Sequence, residues 1–406
     1  MKEATALRDP VSSLTAFDKM EIDHRSIPQH ILDLTGRRRK SLFPWRGQFS
    51  PELIETFLVE YATKDAKVLD TFAGSGTTLV EAARRQLSAV GSEINPAAYL
   101  MAAATEFVNL DVTSRDDIIQ RTDKLVVSCV NARPATSVSD LVPDIVNRLD
   151  NLRFERNLVE NALLRAMPNG EAVTGEQLLC ALRAHASLIR RLPYSCEPIR
   201  AFLSDARSIS LPDASIDLIV TSPPYINVFN YHQNYRVAAE ILKWRLLEVA
   251  KSEFGSNRKH RGNRFLTVVQ YAMDLWSALS TMRRLICPNG RVIIVVGKES
   301  AVRGVRFPNG RLLAALALHA GFTLESRQER SFRSKFGERI FEDILHLRPS
   351  MTRSGDVELA RRIGVAMLEL AASQPALGVL SDLTAAIDSA KHVQPSPLFD
   401  LGHAKA

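Results

Sequence analysis

The sequence of 406 residues predicts an α/β protein, a mainly parallel sheet interrupted by a block of helices. Three observations carry that prediction. Short β-branched runs alternate with helical patterns, which is how the strand–helix–strand units of a parallel sheet read. The first of these runs ends in a glycine loop, Asp70-Thr71-Phe72-Ala73-Gly74-Ser75-Gly76-Thr77-Thr78, that opens into a helix. The alternation stops near residue 112 and resumes at Pro198.

Residues 1–35 are polar and weakly patterned and read as an N-terminal tail. A basic run, Arg37 to Lys40, leads into Ser41–Phe49. Ser50 and Pro51 read as the cap and first position of a helix whose apolar face is Leu53, Ile54, Phe57, Leu58 and Tyr61. Lys67–Asp70 reads as a strand, Thr77–Arg85 as a helix and Ser88–Glu93 as a second strand. From 112 to 196 the pattern is helical, with Leu125–Val130 readable as strand or helix. The clearest helix there is Thr174–Leu192, announced by a Thr174/Gln177 capping box. Strands return at Ile199–Leu203 and Ile216–Val220. A helix from about Tyr271 to Ile286 stops at Cys287-Pro288-Asn289-Gly290, and Arg291–Gly297 is a strand buried on both faces by its continuous apolar run. A helix from Arg311 to Gly321 precedes two more strands, Phe322–Arg327 and Ile340–Leu347. The organisation expected is a tail (1–35), a sheet domain (36–111 with 197–350), a helical insertion (112–196), and a C-terminal helical segment and tail (351–406).

Composition narrows the class. At 46% hydrophobic and 24% charged the chain is no disordered polymer. A net charge of +7 permits a polyanionic partner without requiring one. Cys129, Cys180, Cys196 and Cys287 form no CxxC pair and stand at no metal-ligand spacing, so reduced thiols and no metal are expected. The N-terminus shows no secretory h-region, and apolar runs such as Leu312–Phe322 are too short for a membrane helix. A soluble, cytoplasmic protein is expected.

The glycine loop lets backbone approach a ligand closely, and the helix behind it offers free N–H groups to a carboxylate or phosphate. Glu93 lies 19 residues past Gly74, at the end of the next strand, where an acid can take ribose hydroxyls. The third dinucleotide glycine and the Walker lysine are both missing, Thr77 standing in the lysine's place, which favours a ribose-bearing ligand without a pyrophosphate. Thr221-Ser222-Pro223-Pro224-Tyr225 ends another strand. Its Ser222 hydroxyl and Pro223 carbonyl are acceptors suited to an exocyclic amine, and Tyr225 can stack on the base. Each of these features also has a bland reading, as a tight turn, a strand-end charge or a packed aromatic.

In this order, with Asp205 between Glu93 and TSPPY, the motifs resemble the amino-group DNA methyltransferases that use S-adenosylmethionine. The Ser-Pro-Pro-Tyr form is most often found in the N4-cytosine enzymes. The resemblance covers roughly residues 37–110 and 197–350. It implies a Rossmann-like S-adenosylmethionine-dependent methyltransferase sheet in which Asp70, Phe72, Ala73, Gly74, Ser75, Gly76 and Thr77 hold the methionine part. It further implies Glu93 on the ribose, Asp205 on the adenine amine, and Phe43–Gln48, with Ser50, as a segment closing over the methionine end. Ser222, Pro223, Pro224 and Tyr225 would hold a flipped base. The implied partner is double-stranded DNA in a prokaryotic cytosol, with a cognate restriction endonuclease or other defence-system protein as a candidate companion. Aromatic and basic residues after TSPPY (Tyr231, Tyr235, Arg236, Arg258, Lys259 and Arg261) read as DNA contacts, with a solvated loop or core packing as the alternative. The insertion is a second candidate for target recognition, or a scaffold for a partner. N6 of adenine, an RNA guanine amine, or a non-catalytic DNA-binding module remain alternatives to N4 of cytosine. No Pro-Cys dipeptide ends a strand, as a C5-cytosine enzyme would require.

Overall fold

A computed structural model of the chain describes residues 9–35, 39–45, 47–226, 233–254, 260–333, 337–351, 355–373 and 378–405. Five of its strands form an unbroken run of parallel pairs: β1 (Val68–Asp70), β2 (Ala89–Glu93), β3 (Ile199–Leu203), β4 (Ile216–Thr221) and β5 (Ile286–Gly297). A small hairpin of β6 (Glu299–Val302) and β7 (Val305–Pro308) follows β5. The last pair, β8 (Phe322–Arg333) and β9 (Arg339–Pro349), is antiparallel and completes a seven-stranded sheet of order β3-β2-β1-β4-β5-β9-β8. The first five strands follow the doubly wound Rossmann order, and the order reverses between β1 and β4. A ligand crevice forms at such a reversal, outside the carboxyl ends of the strands.

Period-two alternation sorts the strand residues onto two cores. Val68, Leu218, Val220, Ile293 and Val295 join the helices Pro51–Tyr61 and Thr77–Arg84 on one face. Leu69, Ile219, Val292 and Ile294 join Leu266–Leu285, Asn309–His319 and Val357–Ala372 on the other. The insertion is helical throughout, as Val112–Ala132, Val138–Arg148, Arg153–Ala166 and Gly175–Arg190, so Leu125–Val130 is helix. The Thr174/Gln177 capping box forms as its residues predict. Arg115 draws the two ends of the insertion together. Buried, it donates to the carbonyls of Leu110 at the entry (2.8 Å) and of Leu192 and Pro193 at the exit (2.7 Å each).

Two stretches differ from the expected tails. Leu14 and Phe17 lie in one core, and Ile27 and Leu32 in the other. The N-terminal segment also covers the free edge of β8, where the Asp23 N–H donates to the Arg327 carbonyl at 2.7 Å. At the other terminus Leu380–Ser389 is a helix, and the chain beyond it packs back against the sheet domain. The buried residues of both segments do follow a helical spacing, Leu14 with Phe17 and Leu383 with Ala386 and Ala390, but the helices are short and the period runs for only two turns. Among the described residues no helix is long and apolar enough to cross a membrane, and no group of acids, histidines and cysteines could hold a metal ion.

Candidate functional site

The loop after β1 is built around a buried carboxylate. Asp70 accepts from Thr78 Oγ1 (2.6 Å), from Thr221 Oγ1 (2.7 Å) and from the Phe72 N–H (3.1 Å). Burial pushes its pKa up, and the hydroxyl and amide donors oppose that. The contact with a cofactor expected of Asp70 is therefore corrected: at 1% exposure its carboxylate holds the loop to its helix and to β4. Gly74 and Gly76 have φ of +53° and +85°, in the left-handed region that favours glycine. A Cβ on Gly76 would stand 2.8 Å from Thr105 Cγ2 and 3.0 Å from Ala102 Cα. Ala73 and Ser75 are buried, with Phe72 and Thr77 half-buried. Phe72 meets Phe254 edge-on at 5.2 Å.

Glu93, at the end of β2, accepts from the Gly74 N–H (2.8 Å) and the Asn95 N–H (2.7 Å). Each carboxylate oxygen thus takes one of these bonds and keeps acceptor capacity. The surrounding protein pushes its pKa up to about 7, although the side chain keeps some contact with solvent along the cleft. Beside it Asn95 caps the next helix through Oδ1, and its buried Nδ2 has no partner among the described residues.

The TSPPY loop ends the neighbouring strand, β4. Ser222 is half-buried, and its hydroxyl makes no side-chain hydrogen bond among the described residues. The Pro224 carbonyl accepts from Tyr271 Oη at 2.7 Å. Tyr225 donates its hydroxyl to Glu342 Oε1 at 3.2 Å, and Arg330 Nε donates to the other oxygen at 2.6 Å. The Tyr225 ring lies against Gly297, where a Cβ would come within 2.9 Å of its Cε2. Thr221 joins the two loops, since its hydroxyl donates to Asp70 and accepts from the Phe72 N–H at 3.2 Å.

The segment expected to close over the glycine loop lies against it: Phe43 is buried beside the His185 ring (5.6 Å) and lines a small cleft with Ser75 and Thr77, while Trp45 and Gln48 lie over the loop itself. Trp45 Cδ1 would be 3.2 Å from a Cβ on Gly74, and Gln48 Oε1 accepts from Ser75 Oγ at 3.0 Å. Tyr235 stacks on Trp45 (6.2 Å) and donates to the Pro44 carbonyl (2.9 Å), so it braces that segment. Arg236 pairs with Glu240 at 2.7 Å, while Arg261 is exposed. Tyr231, Arg258 and Lys259 lie outside the described residues.

Asp205 needs the plainest correction. Its Oδ1 accepts from the Arg207 N–H and Nε (2.9 Å each), and its Oδ2 from Arg207 Nη2 (2.6 Å) and the Phe399 N–H (3.2 Å). A carboxylate has about four acceptor positions, and all are filled, so none is left for an adenine amine. Arg207 is in turn held by Asp274 (2.9 Å) and the carbonyls of Ser396 and Pro397. Sequence reasoning missed Tyr271, Glu342 and Asn95, and it gave Thr221 no part in joining the loops. For Thr221 and Asn95 adjacency to a motif was a usable signal; for Tyr271 and Glu342 the sequence offers none.

No ligand is bound. The cradle at Gly74 and Gly76, the remaining acceptor capacity of Glu93 and the unpartnered Asn95 Nδ2 fit a ligand with a carboxylate at one end and a ribose further along. A sheet of this order with such a crevice at its reversal is a doubly wound, Rossmann-like scaffold. Residues 21–104, which hold the glycine loop and Glu93, match the DNA methylase family. Type II methyltransferase M.MjaII of Methanocaldococcus jannaschii is 28% identical over 111 residues, 27% of this chain and 19% of that protein. The chain thus spans about a fifth of that relative's length. A Methanosarcina mazei S-adenosylmethionine-dependent methyltransferase aligns over 73% of this chain and 98% of its own at 11% identity and a TM-score of 0.35. A candidate DNA modification methylase of Thermus thermophilus aligns over 38% and 53% at 22% identity and a TM-score of 0.23. Through residues 21–104 the chain is similar to the amino-group DNA methylases, as its motifs indicate.

Proposed function

We propose that this chain is a DNA methyltransferase that transfers a methyl group from S-adenosylmethionine to the exocyclic amine of a base flipped out of duplex DNA, N4 of cytosine. The observation that carries the reading is the pairing of the two loops. A glycine cradle rich in N–H donors ends β1, an acceptor loop ends β4, and Thr221 and Asp70 tie them together at 2.7 Å.

S-adenosylmethionine supplies an electrophilic methyl on a sulfonium. The chain's own residues do the rest. The N–H groups of Ser75 and Thr77, at the start of the helix, receive the methionine carboxylate, since those of Gly74 and Gly76 are held by Glu93 and Ala73, and Glu93 accepts the ribose hydroxyls. Pro223 and Pro224 have no N–H, so the middle of their loop offers carbonyl acceptors and no backbone donor. The Ser222 hydroxyl and Pro223 carbonyl accept from the target amine and hold its lone pair toward the glycine loop. Tyr271 and Glu342 fix that loop, so the acceptors are in place before the base arrives. Orientation supplies most of the rate. The Ser-Pro-Pro-Tyr form supports cytosine over adenine by resemblance alone, since both amines present the same N–H geometry.

Long-read modification sequencing of DNA from cells expressing this protein tests the proposal, with Ser222→Ala as control. N4-methylcytosine in a fixed context, absent in the control, supports it. N6-methyladenine would replace the base but keep the reaction, and unmodified DNA from both strains would overturn it. A cognate endonuclease would be encoded beside a chain with this activity and would cut the same context when it is unmethylated.

A further inference from the structure

Resting on the reading of this chain as a DNA methyltransferase, we propose that Phe254 is the stacking surface for the adenine of S-adenosylmethionine, and that no carboxylate reads the adenine amine. The order of the strand ends sets where the adenine goes. The glycine loop leaves β1, Glu93 ends β2, and Ser204 and Asp205 follow β3. Neighbouring strands stand about 4.8 Å apart. The ends of β2 and β3 are joined, since the Ser204 N–H donates to the Glu93 carbonyl at 3.0 Å and Ser92 Oγ to the Ser204 carbonyl at 3.0 Å. With methionine on the first loop and ribose on Glu93, the base of the ligand continues toward the end of β3.

Asp205 is the acid at that end, and it is spent on Arg207 and the Phe399 N–H. What the place offers instead is an aromatic ring. Phe254 and Phe72 are both half-buried and meet edge to face, 5.2 Å between centres and 85° between planes. Phe72 belongs to the glycine loop, so this pair spans from the β1 loop to the residues around Asp205. Phe254 follows the helix Leu246–Ser252, and the two carbonyls before it are both held. Arg207 Nη2 donates to the Ser252 carbonyl (3.0 Å), and Ser396 Oγ to the Glu253 carbonyl (3.3 Å). The Arg207 guanidinium also stands 5.2 Å from the centre of the Phe254 ring. Arg207 is fixed in turn by Asp274 at 2.9 Å and by the carbonyls of Ser396 and Pro397. One buried arginine thus closes Asp205 to an amine and holds the ring beside it. A ring already fixed gives up little freedom when a ligand arrives. A stack takes any flat base by its π-face and reads no hydrogen-bond pattern, so the amine goes unread.

The test is the calorimetric affinity of the full chain for S-adenosylhomocysteine and for its 6-deamino analogue, which has purine in place of adenine. Wild type is compared with Phe254→Leu and Phe254→Trp, and thermal unfolding reports the fold. Phe254→Leu should bind S-adenosylhomocysteine about tenfold more weakly, the loss of one aromatic stack. The 6-deamino analogue should bind wild type within about threefold of S-adenosylhomocysteine, because an amine without a protein acceptor adds little. Phe254→Trp should keep the affinity, and S-adenosylhomocysteine should quench its indole fluorescence beyond the change seen in wild type. A ring with a merely structural role would not give that signature. Should Phe254→Leu fail to fold, the analogue and the Phe254→Trp variant still decide. Unchanged affinity in folded Phe254→Leu, no added quenching in Phe254→Trp, or a loss of about tenfold or more with the 6-deamino analogue would overturn the inference while leaving methylation standing. Wild-type protein that binds neither S-adenosylmethionine nor S-adenosylhomocysteine would overturn this inference and the methyltransferase reading together.

Discussion

The loops after β1 and β4 end adjacent parallel strands and are built from opposite materials. The first, Phe72 to Thr77, is backbone that donates. Its two glycines take the left-handed turn and spend their own N–H groups on Glu93 and the Ala73 carbonyl, which leaves the Ser75 and Thr77 N–H groups without an acceptor among the described residues, and a buried carboxylate, Asp70, holds the loop from below. The second, Ser222 to Tyr225, is backbone that cannot donate at its two prolines, and it is held from outside by phenol hydroxyls, Tyr271 on Pro224 and Tyr225 on Glu342. The difference teaches how one crevice can take two chemically unlike ligands. A carboxylate is drawn to the donor side and an amine to the acceptor side, so each ligand is excluded from the other's half by unpaired polar groups.

Removing the donor side should have the largest effect. Gly76→Ala forces φ +85° and a 2.8 Å contact with Thr105 on a residue with a Cβ. It should cost about 1–3 kcal/mol of stability and abolish cofactor binding. Thermal unfolding and a calorimetric titration check this; normal titration would show the cradle is not used. Next is the joint between the loops. Thr221→Val removes a hydroxyl from buried Asp70, and about 1.5–3 kcal/mol should be lost, with both ligand affinities falling together. Denaturant unfolding reads the first change, and a fall in only one affinity would mean the loops act independently.

Tyr271→Phe sharpens the comparison from the acceptor side. It frees the Pro224 carbonyl at a cost of about 1 kcal/mol, so kcat should fall about fivefold with S-adenosylmethionine affinity unchanged. Steady-state kinetics on DNA decide it, and an equal loss of cofactor affinity would contradict the division of labour.

The smallest effect is the pH dependence at Glu93, whose folded-state pKa is raised to about 7 by burial from an ordinary 4.5. Below 4.5 the group is neutral whether the chain is folded or not, and its contribution to stability is fully present. As pH rises toward and through 7 the unfolded chain ionises first, and ligand-free stability falls. Cofactor affinity should run the other way and rise a few-fold between about pH 6 and 8, because ribose hydroxyls need the carboxylate. Glu93→Gln should flatten both profiles; a sloping affinity in that variant would remove Glu93 from the ribose role.

The positions of the two loops and of Glu93 were legible from the chain. The strand-then-glycine-loop pattern located Gly74 and Gly76, and an acid at the next strand end located Glu93. These are local signals, because a turn, a cap or a strand end is made by neighbours in sequence. Phe43 and Trp45 show where locality fails. Two aromatics two residues apart in an irregular segment give no period to say which faces the core, and the structure buries Phe43 while laying Trp45 on Gly74. Asp205 shows the same over a longer span. Its place at a strand end was readable, but its four acceptor positions are filled partly by Phe399, 194 residues away.

Residue order and local chemistry along the chain were enough to place the parallel sheet, the helices of the insertion, the glycine loop at Gly74–Thr77 and the proline loop at Ser222–Tyr225. Tertiary packing alone decided that Thr221 joins those loops, that Tyr271 and Glu342 hold the acceptors still, and that both expected tails are parts of the fold. The physical reason is range. Backbone propensity and capping act over a few residues, whereas a buried carboxylate or an open strand edge is satisfied by whatever donor the fold brings to it, at any distance along the chain.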